Sequence, residues 1–321
     1  MNPIYINYIN LRERFIKSFP KLSLITVKNY VCQLKKVKGY DLQKPRDIEK
    51  GLFNKYKIAN YKQMIISIIK YLRFDENNNI DLIDEYSEYM DDLTEIIYEN
   101  NDINEKSNKE KELWTTFDNL KKVFYDLENV MYDKKLFDKT YDRLTETNKI
   151  ITIDYLLIAL FTLTPPRRAR DYSEMIITNK ENNKNKNINY LVIINNEPLY
   201  FLFNNYKTSK TYGEQKININ NHLKSVIKKY LKIKNYDDDG INKRLFTINK
   251  NKILTANNLS KKIKSIFLKS FLKKPININL IRHIFISEKV GEEEIELLKY
   301  RKHIAYSMGH SADMQIQYIK R

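Results

Sequence analysis

Apolar residues recur at helical spacing along most of the chain. Amphipathic helices are predicted over 23–37, where Ser23 is the N-cap, and over 60–72. A third helix is predicted within 75–105 from its periodic leucine, tyrosine and isoleucine positions. The helical period resumes at residue 114, and residues 150–163 are apolar on nearly all sides, as expected of a buried helix.

Two short apolar runs separated by turn residues, followed by one segment of alternating pattern, predict a small sheet in the second half of the chain. Three strands are expected over 190–194, 199–203 and 215–219, with the second turn at 207–213. The helices expected after them cover 222–231, 259–271, 280–290 and 292–301. The predicted fold class is therefore mainly α, with a small three-stranded antiparallel sheet.

Charge is distributed in blocks. Residues 1–73 contain 16 Lys/Arg against 4 Asp/Glu, and residues 201–274 contain 18 against 4. Residues 75–105 contain 12 Asp/Glu and no Lys/Arg, although the whole chain has a net charge of +17. The basic blocks favour double-stranded DNA as a partner, because phosphate contacts supply most non-specific affinity. DNA should repel the acidic helix, so we expect it to face solvent or to pack on a basic surface of the protein.

The charge blocks and a polar segment without periodicity predict two domains. A helical domain is expected over 1–105, a linker over 106–113 and a second domain over 114–321. The single cysteine, Cys32, excludes a disulfide framework within the chain and a cysteine-based zinc site. No signal peptide or membrane-spanning run is recognised, so we expect an intracellular protein that is not secreted. Only six glycines are present, without a phosphate-binding loop, and no cofactor or metal is expected.

The second domain carries residues suited to breaking a phosphodiester bond without a metal. Tyr318 can be the nucleophile, placed in line with the leaving oxygen. Arg168 and Arg282 can neutralise the charge that grows on the non-bridging oxygens, because the guanidinium fork grips phosphate and stays charged. Lys207, in the predicted turn, can protonate the leaving 5′-oxygen. Arg167 and Lys210 remain alternatives to Arg168 and Lys207.

Two further residues complete the candidate site. His310, between Gly309 and Ser311, can donate a hydrogen bond to a non-bridging oxygen. Asn279, three residues before Arg282, can hydrogen-bond a phosphate oxygen but cannot accept a proton at neutral pH.

The order of these motifs resembles the catalytic domain of tyrosine recombinases, the phage-integrase family. The motif over 309–311 matches that family closely, whereas Asn279 stands where histidine is usual and Pro165–Pro166 replaces Thr-Gly. Tyr318 follows His310 by eight residues, one fewer than the usual spacing. The form Pro-Pro-x-Arg followed by Asp-Tyr is similar to integrases of large eukaryotic DNA viruses and related mobile elements.

The resemblance implies a two-domain clamp on duplex DNA, with a helical core-binding domain and an α+β catalytic domain. It implies a site-specific recombinase or integrase that cuts and rejoins DNA through a 3′-phosphotyrosyl intermediate. Protomers that are monomeric when free would form a homotetramer on two DNA sites, in the cytoplasm or nucleus of a host. The alternatives are relaxation of DNA by a type IB topoisomerase, and a DNA-binding protein of the same fold with weakened catalysis.

Overall fold

The computed structural model divides the chain into two compact units, Met1–Glu105 and Lys106–Arg321. Its helices outnumber its strands, which form one four-stranded and one two-stranded sheet in the described part of the chain. The structure describes residues 3–74, 80–102, 106–179, 185–236, 243–248, 252–291, 293–294, 296–297 and 300–301.

The first unit is helical throughout its described part. Ser23 begins the second helix by accepting a hydrogen bond from the Thr26 N–H at 3.1 Å, which confirms the predicted N-cap. The fourth helix is the core of the unit, and it buries Tyr61, Met64 and Ile68 completely. The helices of this unit are α1 (Leu11–Ser18), α2 (Leu24–Lys36), α3 (Pro45–Leu52), α4 (Ile58–Leu72) and α5 (Ile80–Asp102).

The acidic segment forms helix α5, which packs on α4 of its own unit. Tyr86 and Leu93 are buried on its inner face, and the Tyr86 hydroxyl donates to the Leu42 carbonyl at 2.8 Å. Its outer face is exposed, as expected for an acidic helix. The exposed carboxylates are Asp81, Asp84, Glu85, Glu88, Asp91, Asp92 and Glu95.

The second unit is built around one buried helix, α8. Its residues from Tyr155 to Thr162 are all buried, which confirms the apolar helix predicted over 150–163. Helices α7, α11 and α12 pack against it. The helices of this unit are α6 (Asn108–Leu113), α7 (Phe117–Asp133), α8 (Glu146–Thr162), α9 (Ala169–Ser173), α10 (Ser209–Tyr212), α11 (Asn221–Lys234), α12 (Ala256–Lys269) and α13 (Ile278–Lys289).

Helix α6 occupies most of the segment 106–113 that we expected to be a linker. Ser107 and Glu110 form a reciprocal capping box at its start, with the Ser107 hydroxyl accepting from the Glu110 N–H. The spacing Ser-x-x-Glu is a signal for the start of a helix. In this polar segment the capping box supports a helix even though apolar residues do not recur at helical spacing.

The main sheet has four strands in the order β1-β2-β3-β4, and it is mixed. The prediction of three antiparallel strands is wrong in number and orientation, because β1 pairs parallel with β2. The other pairs are antiparallel, as predicted. The strands are β1 (Ile176–Thr178), β2 (Tyr190–Ile194), β3 (Glu197–Phe203) and β4 (Gln215–Asn218), with a two-stranded sheet of β5 (Thr247–Ile248) and β6 (Lys252–Ile253).

The two hairpin connections of the main sheet differ in form. Asn195 and Asn196 both adopt left-handed backbone, with φ of 51° and 61°, as a tight turn between β2 and β3 requires. The connection between β3 and β4, predicted as a simple turn, contains the helical turn α10. In the described residues, no helix is both long and apolar enough to cross a membrane.

We expect Tyr86→Phe to lower the free energy of unfolding of the first unit by about 1 kcal/mol, because the buried Leu42 carbonyl loses its donor. Urea denaturation of the full chain, followed by circular dichroism, measures the change. Tyr5→Phe is the control, since Tyr5 is 57% exposed and should change little. Equal midpoints for Tyr86→Phe and wild type would contradict this account of how α5 is anchored.

Candidate functional site

The end of α8 determines the position of the arginine cluster, which consists of Arg167, Arg168 and Arg170. Pro165 and Pro166 cannot continue the helix, and the Thr164 hydroxyl donates to the Leu160 carbonyl at 3.1 Å. Arg168 follows in extended backbone (φ −79°, ψ 154°) as the N-cap residue of α9. Since α8 is packed in the core, the chain leaves it at a fixed point.

A cavity of about 430 Å³ opens at this break. The loop after α8, helix α9, strands β3 and β4, the β3–β4 connection and helix α13 contribute to it. Its lining residues are Thr164, Pro165, Pro166, Arg167, Arg168, Asp171, Tyr172, Phe201, Phe203, Tyr206, Thr208, Tyr212, Gln215, Ile217, Asn218 and Arg282.

Arg168 and Arg282 meet in this cavity, although they are distant in sequence. Burial lowers the pKa of Arg282, and the positive charge of Arg168 lowers it further, against the opposing effect of Asp171. Among the described residues, neither guanidinium donates a hydrogen bond or forms an ion pair. Two guanidinium groups that share a concave site and form no ion pair among the described residues are suited to bind an anion, and their forks match the geometry of a phosphate.

Arg167 has a different role from that of its neighbour. Its Nε donates to Asp171 Oδ2 and its Nη1 to Gln215 Oε1, both at 2.9 Å. Its guanidinium carbon lies 3.9 Å from the ring centroid of Phe203. Arg167 therefore joins α9 to β3 and β4, and these contacts favour Arg168 as the arginine available to a ligand.

Asp171 is almost fully buried, with 3% of its side chain exposed. Its Oδ2 is paired with Arg167, whereas its Oδ1 is buried and has no hydrogen-bond partner in the part of the chain that is described. One carboxylate thus stabilises Arg167 and moderates the positive potential at Arg282.

Asn189, just before β2, is a positioning residue that the sequence analysis missed. Its side-chain amide donates to the carbonyls of Asp171 and Asn205, at 2.9 and 3.0 Å. Its Oδ1 accepts from the backbone N–H groups of Asn204 and Asn205, at 2.9 and 2.7 Å. It ties α9 to the end of β3. In a chain so rich in asparagine, no local pattern marks it.

Helix α13 carries Arg282 and is held from two sides. Phe285 packs against Phe117 of α7 with ring centroids 5.0 Å apart, and Glu288 accepts from the Phe117 N–H at 2.7 Å. Helix α12 packs against both α9 and α13. The helix that Arg168 caps and the helix that carries Arg282 therefore share a neighbour.

Lys207 and Lys210 lie in the β3–β4 connection, and both are exposed. Neither lines the cavity, but Tyr206 and Thr208, on either side of Lys207, do. The Tyr206 hydroxyl donates to the Gly213 carbonyl at 2.8 Å and closes the connection. Lys207 is thus beside the cavity, and the structure leaves Lys210 open as its alternative.

Asn279 does not join the two arginines. It is exposed and lines a second cavity, of about 440 Å³, together with Ser107, Glu110 and His283. His283 Nδ1 lies 2.9 Å from Glu110 Oε1, so α6 lies against this face of α13. This differs from the single site that we expected, because the unforeseen helix α6 forms the wall beside Asn279.

The remaining candidates, His310 and Tyr318, lie outside the described residues, as do Gly309 and Ser311. Of the six candidate residues, the structure thus brings together Arg168 and Arg282, with Lys207 nearby. Within the described ranges, no group of three or more His, Cys, Asp or Glu side chains could hold a metal ion.

We expect Arg167→Met to lower the free energy of unfolding of the second unit by about 3 kcal/mol, because Asp171 would be buried without its partner. Chemical denaturation measures this, and the double variant Arg167→Met/Asp171→Leu should recover most of the loss. Arg170→Met is the matched control, because Arg170 is exposed and donates only to Asn205 Oδ1 in the described structure. If Arg170→Met were as destabilising as Arg167→Met, the role assigned to Arg167 would be wrong.

Comparisons of the chain with protein-family models, curated proteins and solved structures find no match.

Proposed function

We propose that the chain is a tyrosine site-specific DNA recombinase or integrase. The observation that carries the proposal is the convergence of Arg168 and Arg282 in one cavity, each without a partner in the described residues. The sequence motifs assign phosphate binding to these same two arginines from their positions along the chain. That assignment did not use the observation that both residues line one cavity. The spatial convergence therefore supports the proposal independently of residue spacing.

The arginines suit the transition state of phosphodiester transfer. Burial and the charge of Arg168 both disfavour the protonated form of Arg282, and the negative charge of a bound phosphate would offset both effects. Negative charge on the non-bridging oxygens increases as the nucleophile attacks. Cations already held in place stabilise that charge without reorganising during the reaction.

The remaining roles follow from the sequence motifs. The Tyr318 oxygen attacks phosphorus and releases its proton to water, the bond from phosphorus to the 5′-oxygen breaks, and Lys207 protonates that oxygen. A 3′-phosphotyrosine and a 5′-hydroxyl result. When a 5′-hydroxyl attacks the phosphotyrosine, it loses its proton, the bond from phosphorus to the Tyr318 oxygen breaks, and that oxygen is protonated again as the DNA backbone is restored. His310 donates to a non-bridging oxygen. We assign no step to Asn279, because it lines the other cavity.

Double-stranded DNA is the proposed partner, and assembly as a tetramer on two DNA sites is part of the proposal. The exposed carboxylates of α5, which DNA would repel, support a role for that face away from the DNA. They are candidates for contact with a basic surface of a neighbouring protomer, and such charge pairing is screened by salt.

We expect Tyr318→Phe to abolish a covalent protein–DNA adduct and to leave DNA binding unchanged, because only the nucleophilic hydroxyl is lost. The adduct is trapped with a nicked suicide substrate that carries a site from the DNA flanking the gene, and binding is measured by fluorescence anisotropy. An adduct formed by Tyr318→Phe would transfer the nucleophile role to another tyrosine, such as Tyr306.

Two assays of the wild-type protein, adduct trapping and plasmid relaxation, distinguish the proposed function from its alternatives. Site-dependent trapping supports a recombinase, whereas relaxation of supercoiled plasmid without site preference would indicate a type IB topoisomerase. Binding with neither activity would indicate a DNA-binding protein of the same fold.

We expect Arg168→Ala and Arg282→Ala each to lower the rate of adduct formation by about 100-fold or more, because each removes charge stabilisation made mainly in the transition state. Single-turnover trapping at saturating protein measures the rate separately from affinity. Arg170→Ala is the control, because it removes the same charge two residues from Arg168 at an exposed position outside the cavity. Equal losses in all three variants would mean a general electrostatic effect and would contradict the assigned roles.

A further inference from the structure

Tyr212 is an exposed aromatic residue at the arginine cavity. It is the last residue of α10 and lines the cavity, and 66% of its surface is exposed. In the described structure, its ring stacks on no other ring and its hydroxyl makes no hydrogen bond. The role of Tyr212 is therefore not explained by packing of the core.

The backbone around Tyr212 is well anchored, even though its side chain is not. The Tyr212 N–H donates to the Thr208 carbonyl at 3.1 Å, and the Gly213 N–H donates to the Ser209 carbonyl at 2.9 Å. Gly213 ends the helical turn with a φ of 67°, and its carbonyl accepts the Tyr206 hydroxyl. The connection therefore presents the ring at the cavity from a defined position.

The cavity combines a cationic part with an apolar edge. Ile217 of β4 also lines it and is 43% exposed, so two large apolar side chains stand beside Arg168 and Arg282. A volume of about 430 Å³ is in the range of pockets that hold whole organic ligands. The shape and chemistry fit a ligand that has a flat, uncharged part next to its anionic group, as a nucleotide has.

We propose that Tyr212 stacks on the base of the nucleotide next to the phosphate held by Arg168 and Arg282. The inference rests on the proposed function and adds to it a residue that recognises an unpaired base. A base inside a duplex is already stacked on both faces, so Tyr212 can reach it only where local pairing is open. The protein should therefore prefer DNA with unpaired bases beside the bound phosphate, because aromatic rings stabilise such bases.

The test compares the affinity of the full chain for two short duplexes of equal length and charge, one fully paired and one with a central bubble of unpaired bases. We expect the wild type to bind the bubble duplex about tenfold more tightly, which corresponds to ~1.4 kcal/mol and lies within the range of base–aromatic stacking. Tyr212→Ala should remove this preference and leave affinity for the paired duplex unchanged. Tyr212→Trp should retain the preference, since it keeps an aromatic face.

Tyr125→Ala is the matched control, because Tyr125 of α7 is 44% exposed and lines neither cavity. The preference should survive this change. A preference that persists in Tyr212→Ala, or that the wild type lacks while binding both duplexes, overturns the inference and leaves the proposed function standing. If the wild type binds neither duplex, the proposed function fails, and the inference fails with it.

Discussion

The cavity depends on holding two guanidinium groups together, although neither forms an ion pair with any of the described residues and only the electrostatic effect of Asp171 opposes their repulsion at Arg282. Left to themselves, Arg168 and Arg282 would separate, so the surrounding structure has to resist their repulsion. On one side, the buried helix α8 and the Arg167–Asp171 pair fix the loop that carries Arg168. On the other, the buried residues Ile281 and Ile284 hold α13 in the core and leave Arg282 at the cavity.

This constraint explains why three neighbouring arginines have three different surroundings. Arg170 is exposed and bonded to Asn205, Arg167 is enclosed by Asp171, Gln215 and Phe203, and Arg168 is directed to the cavity. Like charges placed close together in sequence are tolerated because each has a separate environment. The cluster thus combines one arginine that lines the cavity with a structural neighbour and a surface neighbour.

The sequence predicts the regular elements of this fold better than their connections. The strand over 190–194 and the buried helix each contain a continuous apolar run, with asparagine or proline residues after it, and both are observed. β1 was missed because its three residues are too few to show alternation, and its parallel pairing depends on the distant segment 190–192. The helical turn α10 was missed because its backbone is defined by Tyr206 and Gly213, which contact each other across the connection.

The same distinction applies to the site. Arg168 and Arg282 could be named from motifs, because phosphate chemistry restricts the residue types that can serve. The role of Arg167 could not be predicted, since it depends on Phe203 and Gln215 in two other strands. Asn279 was assigned to this site by its distance from Arg282 along the chain, and that distance does not reveal that α6 creates a separate cavity.

Net charge also overstates how much of the basic surface a polyanion can reach. Lys262 of α12 is paired with Asp154 of α8 at 2.6 Å, and both side chains are partly buried. Burial lowers the pKa of Lys234 to about 8, and its ammonium lies 3.4 Å from the ring centroid of Tyr141. These lysines contribute to the composition of the chain but serve its packing.

The amide of Asn189 has a consequence for how the cavity responds to its surroundings. It joins α9 to the end of β3 through four hydrogen bonds, and none of its groups gains or loses a proton in the physiological range. Counterions weaken the attraction between a protein and a polyanion but have little effect on bonds between neutral amides. The connection that Asn189 makes between α9 and β3 is thus insulated from changes in ionic strength and acidity, which act instead on charged contacts such as the Arg167–Asp171 pair.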